Sequence, residues 1–182
     1  MAYINATTAV NRVKLVLIKA SAMAGSTPAE TDFITAASNS TGAISTVANG
    51  GIVVPGLQDV TINNSNGAFR WKQLDQSGEN VITTNASNSL SGNFVLDPTA
   101  FFGLTGGTGA SLDGIFKLSN DRTQVAFLIA PAGVTDGSKL FMGTGFISAL
   151  APKVSADSPV FVSPLTIEVN GDYTLATAAV AT

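Results

Sequence analysis

Apolar and polar positions alternate with a period of two over most of the chain, the signature of strands whose successive side chains point to opposite faces. Val13, Leu15 and Leu17 alternate with Lys14, Val16 and Ile18 in a β-branched run. That segment predicts a strand with at least one buried face. The same pattern predicts strands over 52–54, 60–62, 69–73, 81–84, 93–96, 125–130, 140–150 and 160–169. Asn66-Gly67, Asp136-Gly137 and Asn170-Gly171 suit type I′ hairpin turns, in which both central residues need positive φ. The fold class expected from these features is mainly β: an antiparallel β-sandwich or barrel in a single domain spanning residues 1–182.

Some segments depart from the alternation. Near residues 110–120, Leu112, Ile115, Phe116 and Leu118 fall on one helical face, and Ser111 or Thr108 can cap the start, which predicts one short flanking α-helix. Gly114 inside it shortens the expected length. Residues 21–51 are rich in Ala, Ser, Thr, Asn and Gly, with Phe33 and Ile34 almost the only large apolar side chains. This reads as a long loop, and a loop of that length is either ordered against a neighbour or partly disordered. Residues 1–11, with Tyr3 and Ile4, read as an N-terminal arm. Residues 170–182, with Tyr173 and Leu175, read as a C-terminal arm or an extra strand.

Composition removes most catalytic chemistry. The 182 residues include no Cys and no His, which excludes thiol nucleophiles, disulfides, structural zinc and every histidine-based triad. The carboxylates Asp113, Asp121, Asp136 and Asp172 are dispersed and stand in turn or helix-start contexts, so no glycosidase-like pair is marked. The Gly-rich run 106–111 before the helix lacks the Lys of a P-loop, and Leu112 stands where a dinucleotide fingerprint needs glycine. Ser-x-x-Lys and calcium-loop patterns are missing. The expectation is a protein without catalysis, cofactor or metal.

Charge changes the picture further. Lys, Arg, Asp and Glu make up only 12% of the chain, about half the usual share, while 17 Ser, 20 Thr, 13 Asn and 18 Gly take their place. Neutral polar groups cost far less to desolvate than ions, so such a surface suits a subunit that buries much of itself in an assembly. A net charge of −3 with scattered basic residues argues against nucleic-acid reading. Trp71, between Arg70 and Lys72, reads as a core or interface residue rather than a base-stacking platform. No apolar run is long enough to span a membrane, and Met1 to Asn11 lack a secretory pattern, so the expected place of assembly is the cytoplasm.

Taken in order, Asp59 to Ile62, Trp71, Ser89 to Phe94, the helix Ser111 to Leu118, the strand Val125 to Ile129, the run Phe141 to Leu150 and the last strand Val160 to Val169 resemble a bacteriophage tail tube protein, also called a major tail protein. The resemblance covers residues 59–175. It implies a virion protein forming homohexameric rings that stack into a hollow tail tube, assembled in the host cytoplasm. It also implies partners among other tail components, such as tape measure, sheath or terminator proteins. DNA would pass through the lumen without specific binding, because a charge of −3 per subunit repels phosphate. Tyr3, Ile4, Phe33, Ile34, Tyr173 and Leu175 are the candidate ring-stacking contacts. An exported adhesin or fimbria-like β-sandwich and a capsid decoration protein share this composition and are the alternatives.

Overall fold

The computed structural model describes residues 13–37, 47–48, 50–75, 77–106, 108–131, 137–153 and 160–178. Nine strands form one antiparallel sheet among them: β1 (Lys14–Lys19), β2 (Val47–Ala48), β3 (Gly51–Val53), β4 (Leu57–Lys72), β5 (Glu79–Val95), β6 (Val125–Ala130), β7 (Lys139–Leu150), β8 (Val162–Val169) and β9 (Thr174–Thr177). The order is β2-β3-β1-β6-β7-β8-β5-β4, with β9 also paired to β7. The sheet is open, with β2 and β4 at its margins, and does not close into a barrel within the chain.

Two apolar layers explain why the central strands have no polar face. Leu17 stands opposite Phe127 and Leu15 opposite Ile129 on one side of the sheet, whereas Val16 opposite Leu128 and Ile18 opposite Ala126 face the other. All six residues of β6 are buried. The larger core gathers Leu15, Leu17, Phe127 and Ile129 with Leu90, Phe94, Leu165 and Ile167 from the far half of the sheet. The sheet therefore folds over on itself, and Leu15 meets Leu57, Val60 and Leu90 around a small apolar cavity. The smaller core, on the opposite face, joins Val16, Ile18, Leu128, Leu140 and Met142 under Phe33.

Phe33 lies on α1 (Glu30–Ala37), so residues 21–51 are not a plain loop. The helix start carries a local signal: Pro28 precedes it, Glu30 and Asp32 occupy its first turn, and the Asp32 carboxylate accepts the Ala29 and Ala24 amides at 3.0 and 3.1 Å. Another helix without a counterpart in the periodicity is α2 (Pro98–Phe102), begun by Asp97, whose Oδ1 accepts the Thr99 and Ala100 amides at 3.0 Å each. The expected amphipathic helix is α3 (Gly109–Asn120), kinked at Gly114 with φ 71°. A Cβ at Gly114 would lie 2.3 Å from the Gly103 nitrogen, so the kink is what lets the backbones of α2 and α3 touch. Thr108 is the N-cap residue, but its side chain makes no cap bond, and Ser111 Oγ donates to the Thr108 carbonyl at 2.7 Å. Lys19 holds α3 to β1 through Asp113 at 2.6 Å.

Three turn or strand expectations are corrected. The segments at 60–62 and 69–73 belong to one sixteen-residue strand, β4, and those at 81–84 and 93–96 to one seventeen-residue strand, β5. Asn66-Gly67 is not a turn but a register shift inside β4, between Asn66 opposite Ala86 and Ala68 opposite Thr83. At Asn170-Gly171 the chain does not reverse: β8 runs along Gly145 to Leu150 of β7, and β9 continues along Lys139 to Met142 of the same strand. Asp136 lies outside the described residues.

Candidate assembly surfaces

The pairing lengths of β4, β5 and β8 create an arm. β8 covers β5 only from Ser89 to Val95, while the β4–β5 ladder continues to Lys72 opposite Glu79. Ten further residues of β5 rise roughly 30 Å beyond the third strand. A two-stranded ribbon with no third layer is marginal in water, so this arm is a feature that awaits a partner. At its end Phe69 stands opposite Ile82 and Trp71 opposite Asn80 on one face, and the Phe69 and Trp71 rings stack at 6.0 Å between centroids. Phe69 and Ile82 are just over half exposed, and Leu74 at the turn is fully exposed.

The base of the arm is clasped by the bend between β8 and β9. The Tyr173 hydroxyl reaches the Ser89 carbonyl at 2.6 Å and the Asn63 carbonyl at 3.1 Å, one on each strand of the ribbon. Buried Asn88 donates from Nδ2 to the Gly171 carbonyl at 2.9 Å. The Tyr173 ring meets Phe127 edge-on at 6.1 Å, which ties the clasp to the larger core. Burial, with a smaller contribution from the negative charge of Glu168, raises the Tyr173 phenol above its ordinary 10.0. The folded chain then keeps a proton that the unfolded chain releases. Stability from this group is full below pH 10 and is lost as the pH climbs through the raised value. Tyr173→Phe removes the hydroxyl contacts and costs about 1 kcal/mol at neutral pH. Above pH 10 its stability declines less steeply than that of the parent, as denaturant titrations across alkaline pH will show.

Two further surfaces belong to the sheet. The face of β4, β5, β8 and β7 turned away from the core carries Asp59, Thr61 and Asn63 opposite Asn93, Ser91 and Ser89, then Thr166, Glu168 and Ser148. None of these is basic. Asp59 is held by the Asn93 amide at 2.9 Å and its Nδ2 at 2.7 Å. The margins are also open: among the described residues no strand pairs with the outer edge of β4, and β6 leaves β7 after Gly145, so Phe146 to Leu150 have a free edge on that side. Long unprotected edges invite pairing with another chain.

The residues singled out in the sequence are not brought together. Phe33, expected in a loop, lies on α1 and is fully buried in the smaller core. Ile34 on the same helix is half-buried, Tyr173 is engaged in the clasp, and Leu175 on β9 is 66% exposed. Tyr3 and Ile4 lie outside the described residues. The periodicity missed the arm and a second exposed apolar group on α2 and α3, formed by Phe102, Leu104, Leu112 and Phe116. The signal for the arm was present as Phe69 and Trp71 alternating with Arg70 and Lys72 across from Val81 and Ile82. Among the described residues no group of metal-ligating side chains gathers, and no helix is long and apolar enough to cross a membrane.

No family model and no curated protein matches this chain. Solved structures do. The SPP1 tail tube, determined by solid-state NMR and cryo-EM, is similar over 93% of this chain and 78% of that one, with a TM-score of 0.57 and 12% identity. The tail of an empty gene transfer agent particle, refined with helical C6 symmetry, is similar over 70% of this chain and 85% of that one, with a TM-score of 0.51 and 14% identity. This chain, with its open antiparallel sheet, long β4–β5 hairpin and flanking helices, thus shares its fold with solved phage tail tube structures.

Proposed function

We propose that this chain is a non-enzymatic structural subunit of a phage tail, forming homohexameric rings that stack into the tube through which DNA passes. The observation that carries the reading is the pair of open strand edges on one four-stranded region, β4 on one side and the end of β7 on the other. Joining the β4 edge of one subunit to the free β7 edge of the next satisfies both rows of backbone donors and acceptors, and repetition around an axis closes a ring. Edges closed in this way need none of the charge or proline that protects an edge strand in a monomer. The exposed face with Asp59, Thr61, Ser89, Ser91, Thr166 and Glu168 then lines the channel. Neutral hydroxyls and a few acids give phosphate no counterion-releasing partner, so DNA slides rather than binds. Assembly takes place in the host cytoplasm, and tape measure, sheath or terminator proteins meet the tube in the virion tail.

The test is direct. Purified protein concentrated and imaged by electron microscopy is expected to show sixfold rings and stacked tubes, with a matching shift in sedimentation. Monodisperse monomer at every concentration would overturn the reading.

A further inference from the structure

Asn-Gly pairs occur at 49–50, 66–67 and 170–171, and the fold treats the last two very differently. Asn66-Gly67 sits inside the ribbon, between Asn66 opposite Ala86 and Ala68 opposite Thr83, and a Cβ at Gly67 would come 2.1 Å from Thr84 Oγ1. Asn170-Gly171 belongs to no strand and is exposed, with φ 90° at Gly171. Among the described residues, nothing beyond its chain neighbours lies within 4 Å of a Cβ placed on Gly171. Asn170 also borders a polar cleft of about 610 Å³, open to water and lined with Ser21, Thr123, Gln124 and Thr144. We infer that Asn170 is a site of spontaneous covalent modification, in which the Gly171 nitrogen closes its side-chain amide to a succinimide that water opens to aspartate or isoaspartate. The inference stands apart from the tube reading.

The step needs only the chain and water. The Gly171 amide nitrogen, with no Cβ beside it to hold the Asn170 side chain away, bonds to Asn170 Cγ. The Cγ–Nδ2 bond breaks, and Nδ2 leaves as ammonia with the proton that the Gly171 nitrogen gave up. Water then adds to one of the two ring carbonyl carbons. Breaking the new N–Cγ bond yields aspartate, whereas breaking the original peptide bond yields isoaspartate, whose main chain runs through Cβ and Cγ and is one carbon longer. No electrons are exchanged with any other group. The product matters because position 170 lies between two anchors. The Asn170 N–H donates to the Thr144 carbonyl at 2.7 Å, and the Gly171 carbonyl accepts from buried Asn88 at 2.9 Å. An extra main-chain bond of about 1.5 Å between them opens one of these contacts and displaces Tyr173, two residues further on. The new carboxylate also falls between Glu168 and Asp172, with no basic residue from 168 to 172 to offset it.

The unmodified protein supplies its own control, since Asn66 and Asn170 carry the same following residue. Full-length protein is aged warm at mildly alkaline pH, and peptide mass spectrometry follows the amide-to-acid conversion at each position. Conversion at Asn170 is expected to run about tenfold or more faster than at Asn66, which must first open the ribbon, and the two rates should converge in the denatured chain. Equal rates in the folded protein, or an intact Asn170, would overturn the assignment. A tenfold difference that persists in denaturant would also overturn it, by tracing the rate to neighbouring sequence instead of the fold. The consequence for the clasp is read separately. Asn170→Gln would need a larger ring and keeps its melting midpoint on ageing, while that of the parent falls by about 2–4 °C as isoaspartate accumulates. Asn170→Asp carries the charge without the longer main chain and should fall less. A converted parent that melts with fresh protein would overturn the link to the clasp.

Discussion

A chain in which residues 66–86 are replaced by a two-residue Asn-Gly turn folds normally and builds no tubes. The cut falls between Ser65 and Ser87, which are paired across the ribbon, so an Asn-Gly turn closes the shortened hairpin in register. Val60, Ile62 and Leu90, which pack on the larger core, all lie on the retained side. Asn88 and Tyr173 keep their clasp as well. The melting midpoint should therefore move by no more than about 4 °C, the shift expected for about 1 kcal/mol in a chain of this size. Assembly has no such insurance. Covering the exposed halves of Phe69 and Ile82 is worth about 1 kcal/mol each, so losing them raises the critical concentration roughly 30-fold. Circular dichroism and sedimentation across a concentration series measure the two effects separately. A shortened chain that assembles like the parent would show that the arm plays no part in stacking.

Phe127→Ala costs about 3–5 kcal/mol, a large part of the 5–15 kcal/mol that holds a typical domain folded. Phe127 is fully buried at the middle of β6, stands opposite Leu17 and meets Tyr173 edge-on. Its ring lies across β7 at Gly143, where a Cβ would come within 2.7 Å of the ring carbon Cζ. Gly143→Ala by itself therefore overpacks this site and costs about 1–3 kcal/mol. The two changes are expected to compensate, since removing the ring creates the room that the new methyl group needs. The doubly substituted chain should lose clearly less stability than the two single losses combined. Denaturant midpoints of the four chains settle the matter. Strict additivity would mean that ring and glycine do not share the space described.

The clasp links these two expectations. Tyr173 rests on Phe127 in the core and holds Asn63 and Ser89 at the base of the arm, so damage to the core reaches the arm through one side chain. This was not legible in the sequence, where Tyr173 stood out only as a candidate ring-stacking contact. Its two acceptors are backbone carbonyls more than eighty residues away. Backbone groups are identical at every position, and no residue pattern announces which of them a distant hydroxyl will find.

Phe33 shows the same limit from the other direction. A lone large apolar residue in a bland stretch can be a surface anchor for a neighbour or the plug of a small core. The distinction depends on whether a matching apolar face exists elsewhere, and here Val16, Ile18, Leu128 and Met142 supply one. The start of α1 was legible in principle from Pro28, Glu30 and Asp32, because helix-start chemistry is local. The start of α2 was equally available in Asp97 and Pro98.

The amino-acid sequence by itself determined the mainly β character, the places where β1, β6, β7 and β8 run, the amphipathic segment of α3, and the poverty of charge and reactive groups. These follow from alternation, turn chemistry and composition, all of which act within a few residues. Only the tertiary structure decided that four short apolar runs join into one long ribbon, that β9 follows β8 along β7, and which edges and apolar patches stay open. Alternation with period two reports which side chains share a face. It carries no information on which strand lies alongside, or on where the third strand of a sheet stops, because pairing is made by the uniform backbone and burial is settled by residues far apart in the chain.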